Sequence, residues 1–92
     1  MELKQIEKIS KALGDITRLK ILMNIAKHGG SIECAKIITA INLAQPSVSH
    51  HIKTLTEAGL IEPEKEGRNY TYLLNKPLLK EYLVKITALT GK

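Results

Sequence analysis

Apolar residues near the middle of the chain recur with the period of an α-helix. The recurring positions are Val48, Ile52, Leu55 and Gly59, which are separated by steps of four, three and four residues. Such steps place side chains on one face of a helix. A proline falls in the predicted first turn, where it is tolerated, and glycine suits the position that closes a helix. The pattern predicts a helix over about 45–58 that packs by a single stripe.

The opposite face of this predicted helix is polar in an unusual way. It carries hydroxyl and imidazole groups, whose helix propensity is poor or middling, in place of the long charged side chains typical of a solvated surface. Pointing away from Val48, or lying on the flank, are Ser47, Ser49, His50, Lys53, Thr54 and Glu57. Short donors and acceptors near the start of a helix can reach base edges in a DNA major groove. The helix alone fits that role and also fits an ordinary surface helix.

Two amphipathic helices are predicted before it. The first covers about 2–13, and its apolar positions are Leu3, Ile6, Ile9 and Leu13. The second covers about 16–28, and its apolar positions are Ile16, Leu19, Leu22, Met23 and Ala26. Gly14 and Gly29-Gly30 end these helices. Asp15 is a favourable N-cap for the second.

A short third helix is predicted over about 32–41, with Ser31 as its cap. The side chains expected to face inward are Ala35, Ile38 and Ile41. Only three residues separate this helix from the helix over 45–58. Two short helices joined by such a turn form a helix-turn-helix, in which the second helix is the candidate reader of DNA.

Beyond Gly59 the period changes to that of β-strands. Segments 60–65 and 68–74 are separated by a turn signal at Glu66-Gly67, and the second alternates tyrosines with polar residues. Pro63 indicates an edge position for the first strand, because proline has no backbone N–H to donate to a neighbouring strand. The two segments predict a β-hairpin directly after the candidate reader helix.

The fold class that follows is mainly α with a β-hairpin. A last helix over about 77–90 completes a winged helix-turn-helix of order α-α-α-α-β-β-α, which forms a single domain over 1–92. The apolar faces of the first and last helices are wide for so small a domain, which marks a partner surface. The predicted homodimer interface comprises Leu3, Ile6, Ile9, Leu78, Leu79, Tyr82, Leu83 and Ile86.

Composition narrows the class of protein. The chain has 92 residues, a formal net charge of +5 and neither Phe nor Trp, so its core must be aliphatic. A modest positive charge permits an anionic partner such as DNA but does not require one. One cysteine excludes an internal disulfide, and with no apolar run long enough for a membrane span the expected location is the cytoplasm. The sequence contains no acidic pair, no nucleophile with a base at a plausible spacing and no phosphate loop, which argues against an enzyme.

Three stretches resemble the ArsR/SmtB family, small dimeric winged-helix transcription repressors. They are ALGDITRLKIL over 12–22, QPSVSHHIKTLTEAGLI over 45–61, and Glu66-Gly67-Arg68. The first is similar to the family's opening, with Ile16 where proline is usual, and the second is similar to its recognition helix. The likeness covers nearly the whole chain. It implies a homodimeric repressor that binds double-stranded DNA.

The resemblance also locates two metal sites that many family members use to release DNA. Counted back from Ser49, the family's cysteine pair falls on Glu33 and Ala35, with Cys34 between them. The last helix, which carries an Asp and His site in other members, has Glu81 as its only acid and no histidine. We therefore expect no metal and no cofactor, and the inducer is unknown. Cys34 is interpreted as a small packed residue in preference to a sensor thiol.

The binding hypothesis assigns roles to nine residues. The side chains expected to face base edges are those of Gln45, Ser47, Ser49 and His50. Lys53 and Thr54 would lie nearer phosphates, and the wing would contribute Lys65, Arg68 and Asn69. His51 lies at the core boundary and is expected to pack.

Arg18 and Lys20 are candidates for phosphate contacts or, equally, for surface salt bridges. A different class of protein also fits the fold: a winged-helix module that binds another protein and no DNA. The small polar face of the helix over 45–58 argues against that alternative.

Overall fold

The structure, a computed structural model, describes residues 1–41 and 45–91, with the backbone alone for residues 45 and 46. Within these residues, five helices and three strands follow the predicted order, with one additional strand after the second helix. The elements are α1 Leu3–Leu13, α2 Ile16–Lys27, β1 Ser31–Glu33, α3 Cys34–Ile41, α4 Gln45–Glu57, β2 Ile61–Glu66, β3 Asn69–Leu74 and α5 Lys76–Thr87, followed by a 3₁₀ turn over Ala88–Thr90. The winged helix-turn-helix predicted from the sequence is confirmed.

The strands form one antiparallel sheet of order β1-β3-β2. The hairpin of β2 and β3 pairs Glu66 with Asn69 across a two-residue loop, and Gly67 in that loop has φ of +60°. Because β3 is central, β2 lies at an edge, as Pro63 predicted. This hairpin is the wing.

Strand β1 was not predicted, and Ser31 was wrongly assigned as a helix cap. Ser31 pairs with Leu73 and Ile32 pairs with Tyr72, so this segment adds a third strand to the hairpin. Helix α3 consequently begins at Cys34 and not at residue 32. A strand of three residues has no periodicity that a sequence pattern could detect, and it exists because β3 offers a free edge.

The caps predicted at Asp15 and Gly59 are confirmed by their hydrogen bonds. The Asp15 carboxylate accepts hydrogen bonds from the backbone N–H groups of Thr17 at 2.9 Å and Arg18 at 3.1 Å. Helix α4 closes in a Schellman motif, in which the Gly59 N–H donates to the Thr56 carbonyl and the Leu60 N–H donates to that of Leu55. Gly59 has φ of +82°, the left-handed conformation that glycine adopts without strain.

The core is aliphatic, as expected from the absence of Phe and Trp. Its buried members are Ile9, Ala12, Ile21, Leu22, Ile25, Ile32, Ile37, Val48, Ile52, Leu55, Ala58, Leu60, Ile61 and Tyr82. Helix α4 packs against α1, α2 and α3 on one side and against β2 on another. The core therefore lies directly beneath the helix that was predicted to read DNA.

The apolar stripe predicted for α2 was wrong in most of its members. Ile21, Leu22 and Ile25 face the core, whereas Ile16 and Met23 are largely exposed. This helix carries apolar residues on most of its sides, so periodicity alone does not decide which side is buried. The prediction for α3 contains the same kind of error. Ala35 was expected to face inward but is exposed, and Ile37, which was not expected in the core, is buried.

Among the residues that the structure describes, none of the helices has the length and apolar character that crossing a membrane requires.

Candidate nucleic-acid interface

Helix α4 is fixed to the body of the protein by its apolar stripe. Val48 and Leu55 are completely buried, and Ile52 and Ala58 are nearly so. Val48, Ile52 and Leu55 follow the spacing predicted from the sequence, and together with Ala58 they occupy one side of the helix. The other side is consequently presented at the protein surface as a rigid face.

The presented face of α4 carries the predicted polar residues. Ser47, Ser49, His50 and Lys53 are exposed. The Lys53 ammonium lies 4.0 Å from the Glu57 carboxylate one turn away, a loose surface pair. The side chain of Gln45, also predicted to face bases, lies outside the described residues. Small hydroxyls and one imidazole within two helical turns offer hydrogen-bond donors and acceptors at short reach.

Thr54 is less available than the sequence suggested. It is half-buried, and its hydroxyl donates to the His50 carbonyl at 3.1 Å, one turn earlier in α4. An exposed hydroxyl could turn its hydrogen toward a phosphate, but this one already has an acceptor within its own helix. The oxygen lone pairs remain as acceptors, which do not suit a phosphate.

His51 is packed, as its place at the core boundary predicted. Its Nδ1 lies 3.2 Å from a terminal nitrogen of Arg18 and 3.9 Å from the Asp15 carboxylate. The two hydrogen bonds that Asp15 accepts from the backbone N–H groups of Arg18 and Thr17 hold the pKa of its carboxyl below the usual value, with smaller contributions from the charge of Arg18 and from His51. His51 thus joins α4 to the start of α2.

Arg18 is engaged within the protein. Its Nε donates to the Ala12 carbonyl at 2.7 Å, and its second terminal nitrogen donates to the Lys11 carbonyl at 3.1 Å. The sequence left a phosphate contact and a salt bridge equally open for this residue. The structure instead places its guanidinium against the last carbonyls of α1. Lys20, the other phosphate candidate of α2, is exposed.

The predicted wing residues lie at the end of the hairpin, where Arg68 and Asn69 are closer to the start of α3 than to α4. Lys65, Arg68 and Asn69 are all exposed at the hairpin end. The Lys65 ammonium lies 5.9 Å from the centre of the Tyr70 ring, its partner across the hairpin, at the limit of a cation–π contact. A shallow cleft of about 440 Å³, bordered by Ser49, Lys53 and Tyr70 among others, separates the wing from α4.

Comparison with known proteins identifies the family. Residues 15–62, just over half of the chain, match the sequence model of the bacterial regulatory proteins of the arsR family. An uncharacterized HTH-type transcriptional regulator of Methanocaldococcus jannaschii is 43% identical over 68 residues, which cover 73% of this chain and 75% of that protein. The chain belongs to the arsR family. It is therefore a DNA-binding transcriptional regulator and not an enzyme.

Two further likenesses bear on the arsR-family assignment. The transcriptional repressor SdpR of Bacillus subtilis is 36% identical over 73 residues, which cover 79% of each chain. The solution structure of a homodimeric winged helix-turn-helix DNA-binding domain from Mycobacterium bovis, described as a possible ArsR-family regulator, has a TM-score of 0.77 and 28% identity. It covers 94% of this chain and 80% of that domain. These likenesses support the family from both sequence and fold.

The side chains that could bind a metal ion are dispersed over the part of the chain that the structure describes. Among the residues that the structure describes, no group of three His, Cys, Asp or Glu side chains is close enough to hold a metal ion. Cys34 is half-buried at the start of α3, and burial raises the pKa of its thiol. A raised pKa lowers the thiolate fraction, and the thiolate is the form that reacts and binds metals.

The residues predicted for a dimer interface fall into three groups. Leu3 is 84% exposed, and Leu83 is also exposed. Partly buried and packed against the protomer's own core are Ile6, Leu78, Leu79 and Ile86. Ile9 and Tyr82 were predicted to lie at the interface, but both belong to the core of the single chain. Ile9 is fully buried and Tyr82 is only 9% exposed, so they offer a partner little or no area.

Other exposed apolar residues are Ile16 and Met23 of α2, Val84 of α5 and Leu89 in the 3₁₀ turn. Ile16 and Met23 had been placed inward, and the signal that could have corrected them is the presence of more apolar residues in α2 than one stripe can hold.

Proposed function

We propose that two copies of this arsR-family chain bind a pseudo-palindromic DNA operator and thereby repress transcription. The observation that carries the proposal is the face of α4: exposed serines and His50 on one side, and a fully buried stripe on the other. A helix held in this way can enter a major groove without rearrangement. Repression is supported by the likeness to the repressor SdpR.

Base recognition is assigned to the first half of α4. Ser47, Ser49 and His50 are exposed there and would meet base edges, together with Gln45. Serine contacts several bases, whereas an imidazole presents one donor and one acceptor, or two donors when charged. We therefore assign the sharpest base preference of the four to His50.

Phosphate contacts are assigned to cationic and polar groups around that centre. Lys53 lies one turn beyond His50, and the wing offers Lys65, Arg68 and Asn69. Glu64 and Glu66 lie on the same strand as Lys65 and reduce the positive field of the wing. The wing should therefore contribute less to phosphate binding than Lys53 does. Thr54 remains in the proposal as a lesser contact because its hydroxyl hydrogen is already donated.

A homodimer is supported by apolar area on the terminal helices. Leu3 of α1 and Leu83 of α5 are exposed, and the 28%-identical domain from Mycobacterium bovis is homodimeric. A two-fold interface is closed and self-complementary, and it would direct two copies of α4 to half-sites about one helical turn apart, roughly 34 Å. Light scattering should give about twice the 10.2 kDa chain mass.

The test is selection of a duplex from a random pool, followed by a salt titration of its affinity. Six to ten phosphate contacts predict a slope of log K against log salt of about −0.9 for each contact. Lys53→Ala should reduce the magnitude of that slope by about one contact. Lys27→Ala, which removes the same charge from the exposed end of α2, should leave it unchanged.

Weak, salt-independent binding to every duplex would refute the proposal. It would favour the alternative of a protein-binding module on the same fold. Equal effects of Lys53→Ala and Lys27→Ala would leave DNA binding in place but remove the assignment of α4 as the bound face.

A further inference from the structure

We propose that Arg18 is a positioning residue that fixes the recognition helix α4 relative to α1, and so sets the half-site spacing that the regulator accepts. The inference rests on the proposed function, in which α4 reads DNA and α1 belongs to the dimer interface. It concerns a side chain that neither touches DNA in that proposal nor belongs to the buried apolar core.

The geometry joins three elements through one planar group. From its place in the first turn of α2, the Arg18 guanidinium donates from Nε to the Ala12 carbonyl at 2.7 Å and from one terminal nitrogen to the Lys11 carbonyl at 3.1 Å. Its other terminal nitrogen lies 3.2 Å from Nδ1 of His51. The end of α1, the start of α2 and the middle of α4 are therefore held by a single side chain.

The chemistry suits arginine in particular. A guanidinium presents donors in a rigid plane, so all three contacts constrain one orientation, whereas a lysine ammonium on a flexible stem would not reach all three acceptors at once. Since arginine only donates, the Arg18 contact is a hydrogen bond in which Nδ1 of His51 is the acceptor.

Asp15 and His50 border the contact between Arg18 and His51. Asp15 accepts a hydrogen bond from the Arg18 backbone N–H at 3.1 Å, and its carboxylate lies 3.9 Å from Nδ1 of His51. The His51 side chain is only 16% exposed. The next residue is His50, whose ring centre is 5.7 Å from that of His51. The contact with Arg18 is thus adjacent to the residue assigned to base reading.

The consequence concerns the dimer and not the single chain. If α1 is shared between two copies, the distance and angle between their recognition helices depend on how rigidly α4 is tied to α1 within each copy. Recognition sites require positioning to about 0.5 Å and 10–20°. Loss of the Arg18 contacts would let each α4 reorient, which weakens binding to the correct spacing more than binding to a wrong one.

The experiment compares wild type with Arg18→Gln on three duplexes. They are the selected operator, the same operator with one base pair inserted between its half-sites, and an unrelated duplex. Arg18→Gln should lose about tenfold in affinity for the selected operator and change little on the other two. Lys27→Gln removes the same charge from the exposed end of the same helix and should retain the full preference for the correct spacing.

A second pair of variants keeps the test decisive if Arg18→Gln folds poorly. His51→Asn keeps an acceptor near the position of Nδ1 and should retain the preference for the correct spacing. His51→Leu has no acceptor and should lose it. Light scattering and the thermal midpoint of each variant establish that the dimer and the fold are intact.

Two results would overturn the inference. Arg18 is a phosphate contact if Arg18→Gln weakens binding to all three duplexes by the same factor and reduces the magnitude of the salt slope on unrelated DNA by about one. If folded Arg18→Gln and His51→Leu keep the wild-type spacing preference, the residue does not position α4. Failure of the wild type itself to bind any duplex would instead refute the proposed function, and the inference with it.

Discussion

The hydrogen bond between Ser10 of α1 and Tyr82 of α5 should contribute about 1 kcal/mol to the stability of the fold. Their hydroxyl oxygens are 2.8 Å apart, and they join the first and last helices across 72 residues of chain. Tyr82→Phe removes one hydroxyl and leaves that of Ser10, which is exposed and can bind water. We therefore expect a loss of about 0.5–1.5 kcal/mol.

Ser10→Ala should cost more than Tyr82→Phe. Tyr82 as a whole residue is only 9% exposed and its contact with Ser10 is partly buried, so its hydroxyl would lose its partner where water has limited access. An unsatisfied group of this kind costs about 1–3 kcal/mol. Because both single variants remove the same hydrogen bond, the double variant should cost less than the two losses added together, by at least about 0.5 kcal/mol.

The assay is thermal and urea unfolding of the four proteins at one fixed concentration, since dimerisation would make the midpoint depend on concentration. A loss of 1 kcal/mol corresponds to about 4–8 °C in the midpoint for a chain of this size. Tyr70→Phe is the matched control, because Tyr70 is 43% exposed on the wing, and it should change stability by less than about 0.5 kcal/mol. Losses that add within about 0.3 kcal/mol would refute the reasoning.

Three further predictions concern the buried residue Leu55, the carboxylate of Asp15 and the thiol of Cys34. Leu55→Ala should destabilise the protein by about 2–5 kcal/mol in urea unfolding, because Leu55 is fully buried, and a loss below about 1 kcal/mol would mean that it is not part of the core. The lowered pKa of Asp15 means that its charge stabilises the folded state above the ordinary value of 3.8, and that this contribution is lost as pH falls through the folded pKa. The stability difference between wild type and Asp15→Asn should therefore shrink on acidification below about pH 5, and a constant difference would contradict this account. Burial raises the pKa of Cys34, so iodoacetamide should alkylate it more slowly near neutral pH than a free cysteine, and an equal or faster rate would show an activated thiol.

The sequence predicted α4 and the wing well because their signals are local. The stripe of Val48, Ile52 and Leu55 has a single solution at helical period, and all three are buried. Asp15 caps the start of α2 and Gly59 ends α4, as expected, because both roles depend on backbone conformation and short-range hydrogen bonds.

The errors arose where tertiary packing chooses between local alternatives. Helix α2 has apolar residues on several sides, so the choice of Ile21 over Met23 for the core depends on where α4 and the sheet lie. Tyr82 was assigned to a partner surface because its position in α5 is apolar, but it packs into the core of the single chain and its hydroxyl contacts Ser10 of α1. The role of Arg18 could not be read from spacing, since its acceptors are carbonyls and a histidine 33 residues away.

The central claim is that the exposed face of α4 reads bases in a major groove. Its most direct test is to select duplexes from a random pool with His50→Ala and with Lys27→Ala in parallel. The account predicts that His50→Ala relaxes or changes the preferred base at one symmetric pair of positions, with the half-site spacing unchanged, while Lys27→Ala selects the wild-type sequence. Selection of the wild-type sequence, at full stringency, by His50→Ala would contradict the account.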